Sequence, residues 1–370
     1  MFRAKTLLIV GAGASFEVGL PIGSALLTSI VELADIRFER WEQTRGSPAL
    51  LEALKARFFP AVHETVDDHI RAGWQLAASA QQAISIDNLI DALEDPKIEI
   101  MGKLGIAQAI LQAEGDSAAF KPIDPRRDDL DMSKFAGTWY GTLTKLLAEG
   151  VRRSDVEGIF SNLEIINFNY DRCLEQYLPS SLAQYYGLDV TRFREILATL
   201  PIHRPYGSVG RLPWQAGDGP AVDFGRPEPQ LVADVSRSLR TFTEQVSDES
   251  ALHAMRAAVS SADRIVFLGF GFHRQNVKLI ASPVQSHSEL LGTAMGVSRS
   301  DLSVIDDEIW RGFELRGLRE PYRVELEDAS CDQFLREHWR TLTAEPSDHI
   351  HEDLLAGSLD LLGSKARLGL

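Results

Sequence analysis

The residues best suited to chemistry gather in short turns that follow apolar runs. The first turn is Gly11-Ala12-Gly13-Ala14-Ser15, directly after Leu7–Val10. Small side chains at such a place let backbone N–H groups and the start of the next helix approach a pyrophosphate. A tight strand-to-helix turn also needs glycine for its own geometry, so composition alone leaves a ligand-free turn open. Asn167-Phe168-Asn169-Tyr170-Asp171 and Gly269-Phe270-Gly271-Phe272 have the same setting. Gly269 and Gly271 permit close backbone approach to a ligand, and equally a plain turn followed by a helix cap. Hydride transfer is disfavoured. Its glycine loop requires a third small residue where this chain has Phe16, and an acidic residue closing a second strand about 20 residues later; Glu32 and Asp35 fall in a helical pattern instead.

Buried strands must hold these turns. Leu7–Val10 is short, wholly apolar and ends in glycine, which predicts a central parallel strand. Leu163–Asn167 and Arg264–Leu268 are the next two, and Leu290–Met295, Leu302–Ile305 and Tyr322–Leu326 are further strand candidates. From Ser24 to about Glu149 the periodicity is helical, as in Leu50, Leu51, Leu54 and Phe58, or Ile86, Leu89, Ile90 and Leu93. A further helix is expected from about Glu249 to Ser260. Strands separated by helices predict an α/β fold: a Rossmann-like, mostly parallel sheet flanked by helices, with a long helical insertion (24–150) after the first strand. The Gly- and Pro-rich stretch Gln215–Gln230 is expected to be an extended surface loop, and the segment from about Glu345 carries few core signals.

Bulk composition narrows the partners. The 370 residues are 44% hydrophobic, enough for a substantial core. Against 53 acidic residues stand 38 basic ones, a formal charge of −15, and no Lys/Arg-rich block occurs. Direct nucleic-acid binding is therefore not expected, and net acidity favours basic partner surfaces. Cys173 and Cys331 stand alone, so neither a disulfide framework nor a CxxC zinc site can form. No metal is expected, and a reducing cytoplasm is the expected compartment. The N-terminal apolar run is too short for a signal sequence, and no stretch approaches the roughly 20 apolar residues of a membrane span.

Four segments, in chain order, resemble the sirtuin-like family, in particular its bacterial members that act in antiphage defence. They are Gly11–Ser15 with Gly19-Leu20-Pro21-Ile22-Gly23; Asn167–Asp171; Arg204-Pro205-Tyr206-Gly207-Ser208; and Gly269–Phe272 with Asn276. The resemblance spans about residues 5–335 and implies an NAD-binding domain over 1–345, with 346–370 as a tail or oligomerisation segment. It implies NAD as substrate, cleaved at the nicotinamide–ribose bond, and contacts from Gly11, Ala12, Gly13, Ser15, Pro21, Asn169, Gly207, Gly269, Gly271, Phe272 and Asn276. The missing zinc cysteines separate the chain from the lysine deacetylases of the family. A homo-oligomer is implied, as is an activating partner, a HerA-type ATPase in preference to an Argonaute-like protein. A second reading is a non-enzymatic subunit that binds NAD or ADP-ribose and scaffolds a defence complex.

Nicotinamide leaves as a neutral molecule, so the transition state is oxocarbenium-like, and the protein must stabilise positive charge and position a water. By the resemblance, Asn169 holds that water or a ribose hydroxyl, and Asp171 stabilises the cationic sugar; an Asx turn capping the helix at Arg172 explains both equally. The family carries histidine immediately before the glycine, whereas this chain has Tyr206, with His203 as its nearest histidine. Histidine suits a general base near neutrality; tyrosine, with an unperturbed pKa of about 10, does not. The catalytic candidates are thus Asn169, Asp171, His203 as base, and Tyr206 as a ribose-orienting group. Ser15 is expected to cap the following helix beside phosphate, and Arg274, next to His273, to pair with phosphate. Asp87, in Ser85-Ile86-Asp87-Asn88-Leu89, marks a helix start on the insertion and is a candidate pocket-lining residue.

Overall fold

The first strand, β1 (Thr6–Val10), is buried along its whole length. Leu7 and Ile9 join one apolar core while Leu8 and Val10 join another, the alternation of a strand covered on both faces. The computed structural model describes residues 1–60, 63–121, 130–241, 244, 248–315 and 324–345. The expected tail 346–370 and Tyr322, the start of one strand candidate, lie outside these residues.

Beyond β1 the strands are β2 (Arg37–Glu39), β3 (Glu42–Arg45), β4 (Leu163–Asn167), β5 (Ile202–His203), β6 (Arg264–Leu268), β7 (Glu289–Thr293) and β8 (Val324–Glu327). Among the described residues, six of them form one sheet in the order β5-β4-β1-β6-β7-β8, every pairing parallel. The chain steps outward from β1 to β5, returns to β6 beside β1, and steps outward again to β8. This is the doubly wound order of dinucleotide-binding sheets, with its reversal between β1 and β6. The Rossmann-like α/β architecture expected from the strand and helix pattern is therefore the one observed.

The connection from β1 to β4 contains α1 (Ala12–Phe16), α2 (Gly23–Ala34), α3 (Pro48–Phe58), α4 (His63–Ser79), α5 (Ile86–Leu93), α6 (Pro96–Asp116) and α7 (Trp139–Ala148). The long helical insertion divides between the two faces of the sheet. Helices α2 to α6 bury Leu27, Ile30, Leu54, Leu104 and Leu111 with Leu7 and Ile9, whereas α7 packs Trp139, Leu143 and Leu147 with Leu8 and Val10 on the opposite face. The insertion also contains the antiparallel hairpin β2–β3, whose tip residues Arg40 and Trp41 have positive φ. Its polar strands, RFE and EQTR, carry no apolar alternation that would announce them.

Among the described residues, the remaining helices are α8 (Cys173–Tyr186), α9 (Val190–Leu197), α10 (Pro229–Ser236), α11 (Glu249–Ser261), α12 (Arg274–Ile280), α13 (Arg299–Gly312), α14 (Cys331–Glu337) and α15 (Trp339–Thr343). Two expectations are corrected here. Leu302–Ile305 is not a strand but part of α13: the Ser298 hydroxyl accepts from Asp301 N at 3.1 Å and starts the helix, and Leu302, Ile305 and the buried Ile309 follow helical spacing. The Gly- and Pro-rich stretch after Gln215 is not wholly a surface loop, because Val222 and Phe224 are buried within it. No helix among the described residues is long and apolar enough to cross a membrane.

Candidate functional site

The register Val10–Asn167 and Val10–Leu268 places the ends of β4, β1 and β6 side by side, so their turns start at one level. Gly11 N–H donates to Leu268 O (3.0 Å), Phe168 N–H to Val10 O (2.9 Å) and Gly13 N–H to Gly269 O (3.0 Å). Gly269 has φ +58°, and a Cβ on it would lie 2.1 Å from Ala14 N. A Cβ on Gly11 would lie 2.6 Å from Gly269 O. The glycines at 11 and 269 are thus required by backbone-on-backbone contact, and the Gly11 and Gly13 N–H groups are used inside the protein rather than turned to a phosphate. Gly269→Ala combines that clash with a left-handed backbone and should cost about 2–4 kcal/mol in urea unfolding; a loss below about 1 kcal/mol would show that the two loops are not interlocked.

Asn169 fastens the first two turns together. Its N–H donates to Asn167 Oδ1 (3.0 Å), and its Nδ2 donates to Gly11 O and to Ser15 Oγ, each at 2.9 Å. Ser15 Oγ gives its only proton to Asp171 Oδ2 (2.7 Å), and Asp171 Oδ1 accepts from Cys173 N (3.0 Å) at the start of α8. A carbonyl and a hydroxyl whose proton is committed elsewhere can only accept, which fixes the Asn169 amide with its nitrogen toward them. Its Oδ1 meets no donor among the described residues. Asp171, by contrast, has both oxygens engaged and closes an Asx turn onto the first residue of the helix at Cys173. Ser15 does not cap a helix; it lies within α1, buried, and relays between Asn169 and Asp171.

Tyr206 lies in the turn after β5, buried against Phe168 and Tyr170 with ring centroids 5.9 Å and 6.3 Å away. Its hydroxyl donates to Asn276 Oδ1 at 2.5 Å, which occupies the acceptor of the expected ribose-binding side chain. Burial, and then the charge of Asp87, push the Tyr206 hydroxyl well above the usual tyrosine range, so it stays protonated at neutral pH. The neighbouring Tyr170 hydroxyl donates to Asp87 Oδ1 at 2.8 Å. Ser85 caps α5 by accepting from Asn88 N and so sets Asp87 in the first turn. Burial raises the Asp87 carboxyl above its ordinary range, opposed by the Tyr170 hydroxyl and by nearby His273.

Other sequence-selected residues are placed less favourably. His203 pairs in register with Ile166, but its Nε2 is 2.8 Å from Glu164 Oε1, two residues back along β4 and away from the turns. Arg274 is exposed and pairs with Glu308 at 2.8 Å. Gly207 has φ +77° and packs against Ser238 O, where a Cβ would come within 2.9 Å. Pro21 is half-buried in the loop after α1, Ala12 and Gly271 are exposed, and Phe272 is buried with φ +51°.

Two ion pairs beneath the turns escaped the sequence analysis. Arg172 and Glu114 are 1% and 0% exposed and pair at 2.5 Å, while Arg172 Nη1 donates to Val222 O at 2.6 Å. Arg204 bonds Glu175 Oε1 at 2.6 Å and Asn169 O at 2.7 Å, which ties the Tyr206 turn to the Asn169 turn. The local signal was a glutamate within the mainly apolar stretch ending α6. A depression of about 670 Å³, lined by Arg237, Arg240 and Asp248 among others, adjoins the Tyr206 turn, since Arg240 N donates to Tyr206 O at 3.1 Å. A cavity of about 290 Å³, lined by Lys5, Glu164 and Pro201 among others, lies at the opposite end of the strands and shares no residue with the turns. Potential ligand atoms of Glu325 and Glu327 on the edge strand β8 and of His338 after α14 lie within 4.8 Å of one another. The His338–Glu327 pair, at 2.8 Å, accounts for much of that cluster.

Neither the models of known protein families nor the curated proteins give a match to this chain.

Proposed function

We propose that this chain is an NAD glycohydrolase, cleaving the nicotinamide–ribose bond to give nicotinamide and ADP-ribose. The observation that carries this reading is Asn169: a buried amide clamped by Gly11 and Ser15 at the carboxyl edge of the strands, with its Oδ1 left open. A free acceptor there suits a ribose hydroxyl or the attacking water, and doubly wound sheets bind nucleotides outside the carboxyl ends of their strands where the order reverses. The half-buried Asp87 carboxylate adds negative charge beside a centre that becomes cationic in the transition state. The four-segment resemblance supports the further reading of an NAD-depleting effector of antiphage defence, oligomeric and activated by a HerA-type ATPase or another sensor.

The test is to incubate the purified chain with NAD, alone and with the product of its neighbouring gene, and to measure nicotinamide by chromatography. Release is expected, and its absence in every assembled state overturns the reading. His203→Ala should leave release within about threefold of the wild type, because its ring is held by Glu164, whereas removing a working general base costs about 10²–10⁴-fold. One observation favours a second reading, an NAD- or ADP-ribose-binding subunit without catalysis: at Tyr206, the place of the family's histidine, stands a protonated hydroxyl bound to Asn276. ADP-ribose binding without nicotinamide release would decide for it.

A further inference from the structure

We propose that Asp87, carried in from the helical insertion, takes the proton from the water that attacks the ribose. The proposal rests on the reading of the site as one that cleaves NAD. Three of the sequence-selected candidates are committed. Tyr206 donates to Asn276, His203 is paired with Glu164, and Asp171 has one oxygen on Ser15 and the other on Cys173 N. Asp87 keeps one oxygen on the Tyr170 hydroxyl and accepts from its own backbone N–H, and no further described residue donates to this half-buried carboxyl. A carboxylate oriented by a tyrosine hydroxyl and by its own backbone, with lone pairs to spare, has the geometry of an oriented base.

The groups around it set its proton affinity. Tyr170 and Tyr206 face it from the turns after β4 and β5, His273 from the turn before α12, and Glu244, itself paired with Lys103, lies close enough to act on Tyr170. Burial, the largest influence, moves the Asp87 carboxyl upward, toward the pH at which a carboxylate accepts a proton more readily.

In the step itself, the C1′–nitrogen bond breaks and its electron pair goes to the ring nitrogen, so nicotinamide leaves neutral. The water oxygen bonds to C1′, and the proton that this water loses goes to the Asp87 carboxylate and then to solvent. One NAD and one water give nicotinamide, ADP-ribose and one proton.

Asp87→Asn keeps an acceptor for Tyr170 and removes the base. With NAD as substrate, nicotinamide release should fall at least about 100-fold while ADP-ribose affinity, by calorimetry, stays within about threefold. The wild-type rate should rise with pH through the raised carboxyl pKa, and the variant should lack that limb. Azide, a nucleophile with no proton to lose, should restore release in the variant through a ribosyl azide product. If the wild type releases nicotinamide and Asp87→Asn does so within about threefold of it, or if azide restores nothing, the role of Asp87 is overturned while the cleavage reading stands. No release from the wild type overturns that reading and, with it, this one.

Discussion

Asn169→Ala is expected to lower nicotinamide release by about 10²–10³-fold, the effect of removing one preorganised polar group from a transition-state site. Alanine removes the free Oδ1 that would hold water or a ribose hydroxyl, and also the two bonds to Gly11 O and Ser15 Oγ. The Gly11 carbonyl loses its side-chain donor, which should cost about 1–3 kcal/mol of stability. The variant should still fold, because Gly11, Gly13 and Gly269 remain joined through their own backbones. Release by the folded variant within about tenfold of the wild type would remove Asn169 from the reacting centre.

The second large effect is on stability. Arg172→Met strands Glu114, a 0% exposed carboxylate, beneath the turns, and should cost about 3–5 kcal/mol. The cost should depend on pH. Burial already pushes the Glu114 carboxyl upward in the native state, against the pull of Arg172. Without Arg172 its folded pKa rises further above the unfolded value, so the native state loses stability as pH rises between those two values. The loss on Arg172→Met should thus be larger at pH 8 than at pH 5, as urea unfolding at both values would show. The double replacement Arg172→Met with Glu114→Leu should recover part of the loss, not all, because Arg172 also donates to Val222 O. A single-variant loss below about 1 kcal/mol at pH 8 would contradict the burial of this pair.

The parts legible from sequence were those written in contiguous residues. Leu7–Val10, Leu163–Asn167 and Arg264–Leu268 are short, mainly apolar runs closed by Gly or Asn, and they fall in the three adjacent strands that align the turns. Asn169 and Tyr206 were found because they stand in those turns or beside them. What stayed hidden depends on distant partners. Nothing near Arg172 announces Glu114, 58 residues away. His203 was attractive by type, but strand pairing turns it to Glu164. The glycines at 11 and 269 have the composition of a phosphate cradle, yet each is demanded by the backbone of the other's loop. Leu302–Ile305 was misread because a four-residue apolar run is also one turn of helix, and the cap at Ser298 decides between them.

The helices that deliver Asp87 share one continuous apolar core with Leu7 and Ile9 of the sheet. They are consequently not a lid. Swinging them away would return Ile30, Leu104 and Leu111 to water at roughly 25 cal/mol for every Å² exposed, a barrier that grows with each turn of helix lifted. On the NAD-cleavage reading, substrate would enter past small displacements of the turns themselves, and an activating partner would work most cheaply by gripping those turns, leaving the helices and the sheet to move as one rigid frame.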